Sequence, residues 1–143
     1  LPTSLQMGDF TLAHASPREP VWEYIMDTST AYQNFEHFET PFCLVGHTHV
    51  PVYFELDAER QRCEAILPPL PEPVDIGPRR AIINPGGVGQ PRDGDPRASY
   101  AMLDVGEMTW SFHRVAYAIE VTQERMRAAG LPKRLIDRLE IGR

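Results

Sequence analysis

Apolar and polar positions alternate along much of this chain, and the alternating runs come in pairs around short polar turns. Residues 4–7 and 10–14 flank Gly8-Asp9, residues 52–57 and 62–67 flank Ala58-Glu59, and residues 99–105 and 108–115 flank Gly106-Glu107. A period of two around a tight turn is the mark of a β-hairpin with one buried face. Three hairpins are therefore predicted, the third offering Tyr100, Met102, Trp110 and Phe112 to the core. Residues 42–45 and 80–83 are short, largely apolar runs and read as buried strands. Helical periodicity covers residues 31–38, with caps available from Thr28 to Thr30 and with Phe35 and Phe38 on one face. It returns over 118–129, with Ile119, Val121, Met126 and Ala129 inward and Gly130 as the C-cap, and over 132–139, opened by Pro132. Residues 22–26 are a short apolar patch, and residues 68–73 read as a stiff, polyproline-like surface connection. The pattern is that of an α/β chain with mixed sheets, and residues 1–143 read as one unit without internal repeats.

Composition narrows the class. Of 143 residues, 42% are hydrophobic and 24% charged, the balance of a soluble globular protein. The net charge of -6 argues against non-specific nucleic-acid binding, which needs a basic face. An anionic substrate would have to be attracted locally, by metal ions or a few arginines. No apolar run approaches the roughly 20 residues of a membrane helix, and no signal peptide is seen. Cys43 and Cys63 form no disulfide framework, so free thiols and a cytoplasmic setting are expected. The start at Leu1-Pro2, without Met, suggests a processed chain or a fragment.

The chemistry concentrates after the run 42–45, in Gly46-His47-Thr48-His49-Val50-Pro51. In extended chain, residues i and i+2 point the same way, so both imidazoles can face one point. Neutral imidazole is a common ligand for transition metals. Two loop histidines without a task are the plain alternative; the buried strand before them and the Gly and Pro around them favour a metal site. His14 also sits at a strand exit, before Pro17 and Pro20. His37 falls on the solvated side of its helix, and His113 on the outer face of its strand. Residues 84–97 hold four glycines and three prolines. Glycine clusters after a strand let backbone N–H groups approach a phosphate, although the Gly-Lys-Ser/Thr of a Walker loop is absent. Arg92 and Arg97 are placed to clamp an anion and Asp93 and Asp95 to orient them; each is equally suited to a surface ion pair. Three histidines alone would suit a mononuclear zinc site.

Together these blocks, Leu12-Ala13-His14-Ala15-Ser16-Pro17, the His47/His49 turn, Asn84-Pro85-Gly86-Gly87-Val88-Gly89-Gln90-Pro91-Arg92 and Ser99-Tyr100-Ala101-Met102-Leu103-Asp104, resemble the calcineurin-like metallophosphoesterase family. The likeness is greatest to its small bacterial and archaeal phosphodiesterase branch, and it runs in order through nearly all of the chain. It implies a four-layer αββα sandwich with two divalent metal ions (Mn, Ni, Fe, Zn or Mg) at the strand ends. It implies that His14 and His47 ligate one metal and His49 the other, that Thr48 orients the turn, and that Asn84, Gly86, Gly87 and Arg92 lie beside the substrate. Gly87 stands where a serine is more usual. The earlier family motifs Asp-x-His, Gly-Asp-x-x-Asp and Gly-Asn-His-Asp/Glu are absent from these 143 residues. The resemblance is thus to the C-terminal half alone, and the bridging carboxylate and the general-acid histidine are expected in the other half. The implied function is metal-dependent hydrolysis of a phosphate ester, from a small molecule or a nucleotide, with metal lost below about pH 6 as the ligating imidazoles protonate. The isolated chain is expected to be inactive and to need the other half or a second copy. The alternative is a non-catalytic interaction scaffold, as in a retromer subunit of the same fold.

Overall fold

A computed structural model describes residues 2–67, 69 and 72–143; Leu1 and, in the proline-rich connection, Pro68, Leu70 and Pro71 lie outside the described residues. Its strands are β1 (Ser4–Met7), β2 (Phe10–Ala13), β3 (Phe42–Leu44), β4 (Pro51–Asp57), β5 (Arg62–Ile66), β6 (Val74–Asp75), β7 (Ala81–Pro85), β8 (Ala98–Asp104) and β9 (Thr109–Val115). All three hairpins form: β1 with β2, β4 with β5, and β8 with β9, each antiparallel. The two short apolar runs become β3 and β7. They lie beside β2 as a parallel trio, giving a six-stranded sheet of order β1-β2-β3-β7-β4-β5. A smaller antiparallel sheet has the order β6-β9-β8.

The central strands are apolar without alternation because both faces of the large sheet are covered. One face meets α1 (Thr28–Asn34) and the residues around it: Ile25, Phe35 and Phe38 pack with Cys43, Phe54 and Ile82. The other face meets the small sheet, where Phe10, Phe42, Tyr53 and Ile83 pack with Ile76 and Trp110. Each large side chain so buried contributes about 1.5–3 kcal/mol. The layers run helix, large sheet, small sheet, a mixed α/β arrangement.

Several details depart from the sequence pattern. Helix α1 starts earlier than 31 because Asp27 is its N-cap, its carboxylate accepting from Thr30 N at 2.8 Å. It stops at Asn34 rather than 38. The Phe35 and Phe38 carbonyls are taken by the Arg80 guanidinium, which also lies 4.5 Å from the Phe38 ring centroid. In the third hairpin, Ala101 and Leu103 oppose Phe112 and Trp110, so those four share the inner face. Tyr100 and Met102 therefore point outward, 38% and 60% exposed, instead of entering the core. His113, expected in solvent, is half-buried by stacking on Tyr100 with ring centroids 5.0 Å apart. Strand β6, at the end of the proline-rich connection, has no alternating signal of its own.

Helix α2 (Ile119–Ala128) buries Gln123, whose Nε2 donates to Ile136 O at 3.0 Å, while Val121 and Ala129 stay exposed. Helix α3 (Lys133–Asp137) runs into a 3-10 turn (Arg138–Ile141) and buries Ile136 and Leu139. This helical tail is pinned by Gly142, at φ 62, where an added Cβ would stand 2.7 Å from Asp95 C. Gly94 N donates to Gly142 O at 3.0 Å. Among the described residues, no helix is long and apolar enough to cross a membrane.

Candidate metal centre

Because β2, β3 and β7 run parallel and side by side, their carboxyl ends open on one edge of the sheet, the usual place for a ligand in such sheets. His14 leaves β2, His47 and His49 follow β3, and Gly86 to Arg92 follow β7. The sheet order β3-β7-β4 adds a constraint. Chain leaving β3 must step across the end of β7 before it can begin β4 at Pro51. The histidine turn is that step, and Asn84 of β7 lies directly beneath it.

The turn is tight. Thr48 N donates to Gly46 O at 2.6 Å, and His47 and His49 both take left-handed backbone, at φ 62 and φ 60. The rings are thus presented by a strained turn, not by the alternation of extended chain that the sequence suggested. Such backbone costs roughly 1–2 kcal/mol at each non-glycine residue, so something must hold it. Asn84, only 1% exposed, donates Nδ2 to Gly46 O at 2.8 Å and to Thr48 Oγ1 at 2.9 Å, and its Oδ1 accepts from Gly86 N at 2.9 Å. Thr48 Oγ1 also accepts from Val50 N at 3.1 Å. Gly46 N donates to His14 O at 2.9 Å and ties the turn to the exit of β2.

His14 Nε2 and His47 Nδ1 face each other at 3.0 Å, with the rings edge to face. His49 Nδ1 stands 2.6 Å from Gln90 O. A carbonyl only accepts, so Nδ1 carries the proton and Nε2 keeps its lone pair free for a ligand. Burial pushes the His47 pKa down, and His14, Arg92 and His49 push it the same way against the Trp22 backbone carbonyl. His47 is therefore neutral near pH 7, as a ligand must be. Its Nε2 is buried and has no hydrogen-bond partner.

These residues fit a divalent transition metal. Two nitrogens at about 2.1 Å from one ion and at right angles to each other stand about 3 Å apart, the separation of His14 Nε2 and His47 Nδ1. The set is incomplete: among the described residues, no group of three or more His, Cys, Asp or Glu side chains is placed to hold a metal.

The glycine loop packs under this edge. Gly86 has φ +83, and a Cβ there would run into Ser99. A Cβ on Gly87 would stand 3.1 Å from His49 Cβ and Cγ, so the absent side chain leaves room for that ring. Arg92 donates Nη2 to Gln90 Oε1 at 3.2 Å, and its buried Nε has no partner. The broader anion clamp does not assemble. Arg97 pairs with Asp95 at 2.5 Å, and Asp93 is taken by Arg114, while Arg92 acts on His47. His37 is exposed, on the stretch after α1.

Tyr24 was not apparent from sequence as a site residue, yet its ring centroid lies 4.2 Å from that of His47. Pattern reading registers residues 22–26 only as apolar. What positions Tyr24 is a polar anchor around Glu23. Arg18 Nε donates to Glu23 Oε1 at 3.0 Å, Asn34 Nδ2 donates to Glu23 Oε2 at 2.8 Å, and Arg18 N donates to Asn34 Oδ1 at 3.0 Å. Burial acts to raise the Glu23 pKa, but hydrogen bonds from Arg18, Asn34 and Ser16 outweigh it and hold it at about 2.

No family model matches the sequence. An uncharacterized protein of Methanocaldococcus jannaschii is 33% identical over 132 residues, spanning 92% of this chain and 51% of its own length. The crystal structure of a metallophosphoesterase from Sphaerobacter thermophilus superposes with a TM-score of 0.95 at 50% identity, covering 100% of this chain and 59% of that one. A hypothetical protein from Pyrococcus horikoshii shares the fold, with a TM-score of 0.68 at 18% identity over 100% of this chain and 52% of its own. The chain spans about half the length of the relatives it matches. With a parallel-strand edge that carries the paired histidines, and with this sequence and structural likeness, the chain matches the C-terminal part of a metallophosphoesterase.

Proposed function

We propose that this chain provides the His14, His47 and His49 side of a dinuclear metal centre that hydrolyses phosphate esters. The observation that carries the reading is the 3.0 Å approach of His14 Nε2 to His47 Nδ1, the separation two nitrogens would have on one ion. Divalent ions bound there supply Lewis acidity toward the phosphoryl oxygens and an activated water. The chain's own residues do the rest. Gln90 O fixes the His49 tautomer, and Asn84 with Thr48 holds the strained turn. Arg92, half-buried with its Nε unpartnered, is a cation that acts on His47 and is available to an anionic ester. With the protein at net -6, attraction of an anion rests on these local charges. The carboxylates and the general acid of a complete centre belong, on this reading, to a part of the protein beyond this chain, or to a second chain.

The test has two readouts. Calorimetric titration with manganese should show binding that is lost in both His14→Ala and His47→Ala. In the full-length protein, hydrolysis of bis-p-nitrophenyl phosphate with manganese should fall at least a hundredfold in His47→Ala. Wild-type activity in that variant refutes the assignment. A second reading, a non-catalytic scaffold, is favoured by the missing three-ligand group among the described residues. It predicts no metal-dependent hydrolysis by the full-length protein.

A further inference from the structure

Trp22 is the most exposed aromatic side chain among the described residues, at 75%, and Tyr24 is also exposed. Scattered exposed aliphatics need no explanation, but an exposed tryptophan beside a candidate site does. The segment is built, not loose. Glu23 is clamped by Arg18 and Asn34, and Ile25 is buried in the core. Residues 23 and 25 are drawn inward, while Trp22 and Tyr24 are both exposed. Their location is equally fixed. Tyr24 packs on the His47 ring, and the Trp22 backbone carbonyl faces the same imidazole. The Tyr24 ring thus borders the histidine pair, and the exposed Trp22 stands two residues from it with its backbone acting on His47, as does Arg92.

Resting on the phosphoester reading above, we propose that Trp22 and Tyr24 form a stacking platform for the planar group of the substrate, so that the preferred ester is an aryl or nucleoside phosphate rather than an alkyl one. Stacking of a ring on an exposed aromatic is sequence-tolerant and strong enough to set preference. A phosphoryl group held at His14 and His47 leaves an attached ring within reach of side chains that touch His47. The rigid anchor at Glu23 means the platform need not be ordered on binding, which preserves affinity.

Of the two tryptophans of this chain Trp110 is buried, so the quenching that disappears in Trp22→Phe reports on Trp22. Titrations of the full-length protein with manganese, by fluorescence in the wild type and by calorimetry in the wild type and the Trp22 variants, would use phenyl phosphate, adenosine 5′-monophosphate and methyl phosphate. The ring-bearing esters should quench Trp22 and bind at least fivefold tighter than methyl phosphate. In Trp22→Ala that preference should shrink at least fivefold, and Trp22→Phe should restore most of it. Tighter binding of the nucleotide than of phenyl phosphate assigns a nucleoside ester, and the reverse assigns a simple aryl ester. Equal weakening of ring-bearing and methyl esters in Trp22→Ala overturns the platform, as does shielding of Trp22 from acrylamide in the full-length protein. If none of the three esters binds, the phosphoester reading falls and the platform with it. If methyl phosphate binds as well as the others, the platform alone falls.

Discussion

Replacing Asn84 by alanine isolates the device that holds the histidine turn. The side chain is 1% exposed and makes three hydrogen bonds of 2.8–2.9 Å, two as donor and one as acceptor. Truncation leaves Gly86 N without its partner, at about 1–3 kcal/mol, while Gly46 O loses one donor but keeps Thr48 N, at about 0.5 kcal/mol. Thr48 Oγ1 loses one partner but keeps Val50 N, a smaller loss of about 0.5 kcal/mol. The sum is on the order of 2–4 kcal/mol, a large share of the roughly 5–15 kcal/mol that keeps a domain folded. Part of the damage should be local. His47 and His49 sit at φ 62 and φ 60, and without the clamp the turn can relieve that strain by turning the rings apart. Urea unfolding followed by circular dichroism should show the loss of stability, and manganese titration should show weakened binding even where the variant is fully folded. Asn84→Asp keeps the acceptor for Gly86 N, but it loses both donated bonds and buries a carboxylate, so it should do no better. If Asn84 served the substrate and not the turn, Asn84→Ala would unfold within about 1 kcal/mol of wild type. That result would refute the clamp.

Other variants probe the surroundings. Gly86→Ala should cost about 2–4 kcal/mol, since it combines φ +83 with a Cβ driven into Ser99; adding Ser99→Gly should recover only the steric part in thermal melts. Gly142→Ala should loosen the attachment of the helical tail at Asp95, read as faster amide exchange across residues 119–141 while the sheets keep their protection. The Glu23 pKa is held at about 2, below its ordinary 4.5, so its stabilisation is complete above about pH 4.5 and is lost as pH falls toward 2. Unscreened, that shift is worth on the order of 3 kcal/mol; with Arg18 partly in water, about 1–2 kcal/mol is the realistic size. Trp22 anisotropy should drop across that acid range in wild type, and in Glu23→Gln it should already be low at neutral pH and flat with pH.

What the sequence made legible was whatever depends on neighbours in the chain. Alternation located the three hairpins, and unbroken apolar runs located β3 and β7, because two covered faces demand them. Strand exits located His14, His47 and His49. What stayed hidden depends on which strand lies beside which. Alternation marks two faces of β8 but not which face meets Trp110, so Tyr100 and Met102 were put on the wrong side until the register with β9 was known. Asn84 gives the sharper case. In sequence it opens a glycine loop and resembles a substrate contact. In the fold β7 lies between β3 and β4, so the short link from Gly46 to Val50 must pass over its end. A link so short cannot cross a strand in extended form and still return antiparallel, and the left-handed residues 47 and 49 are how it turns. Its carbonyl and hydroxyl then face downward and need a buried donor at that strand end, and an amide that also accepts from Gly86 N meets both demands. Strand order thus dictates the strain in the histidine turn and the residue that holds it. Only the histidines themselves, as candidate ligands, were visible without that order.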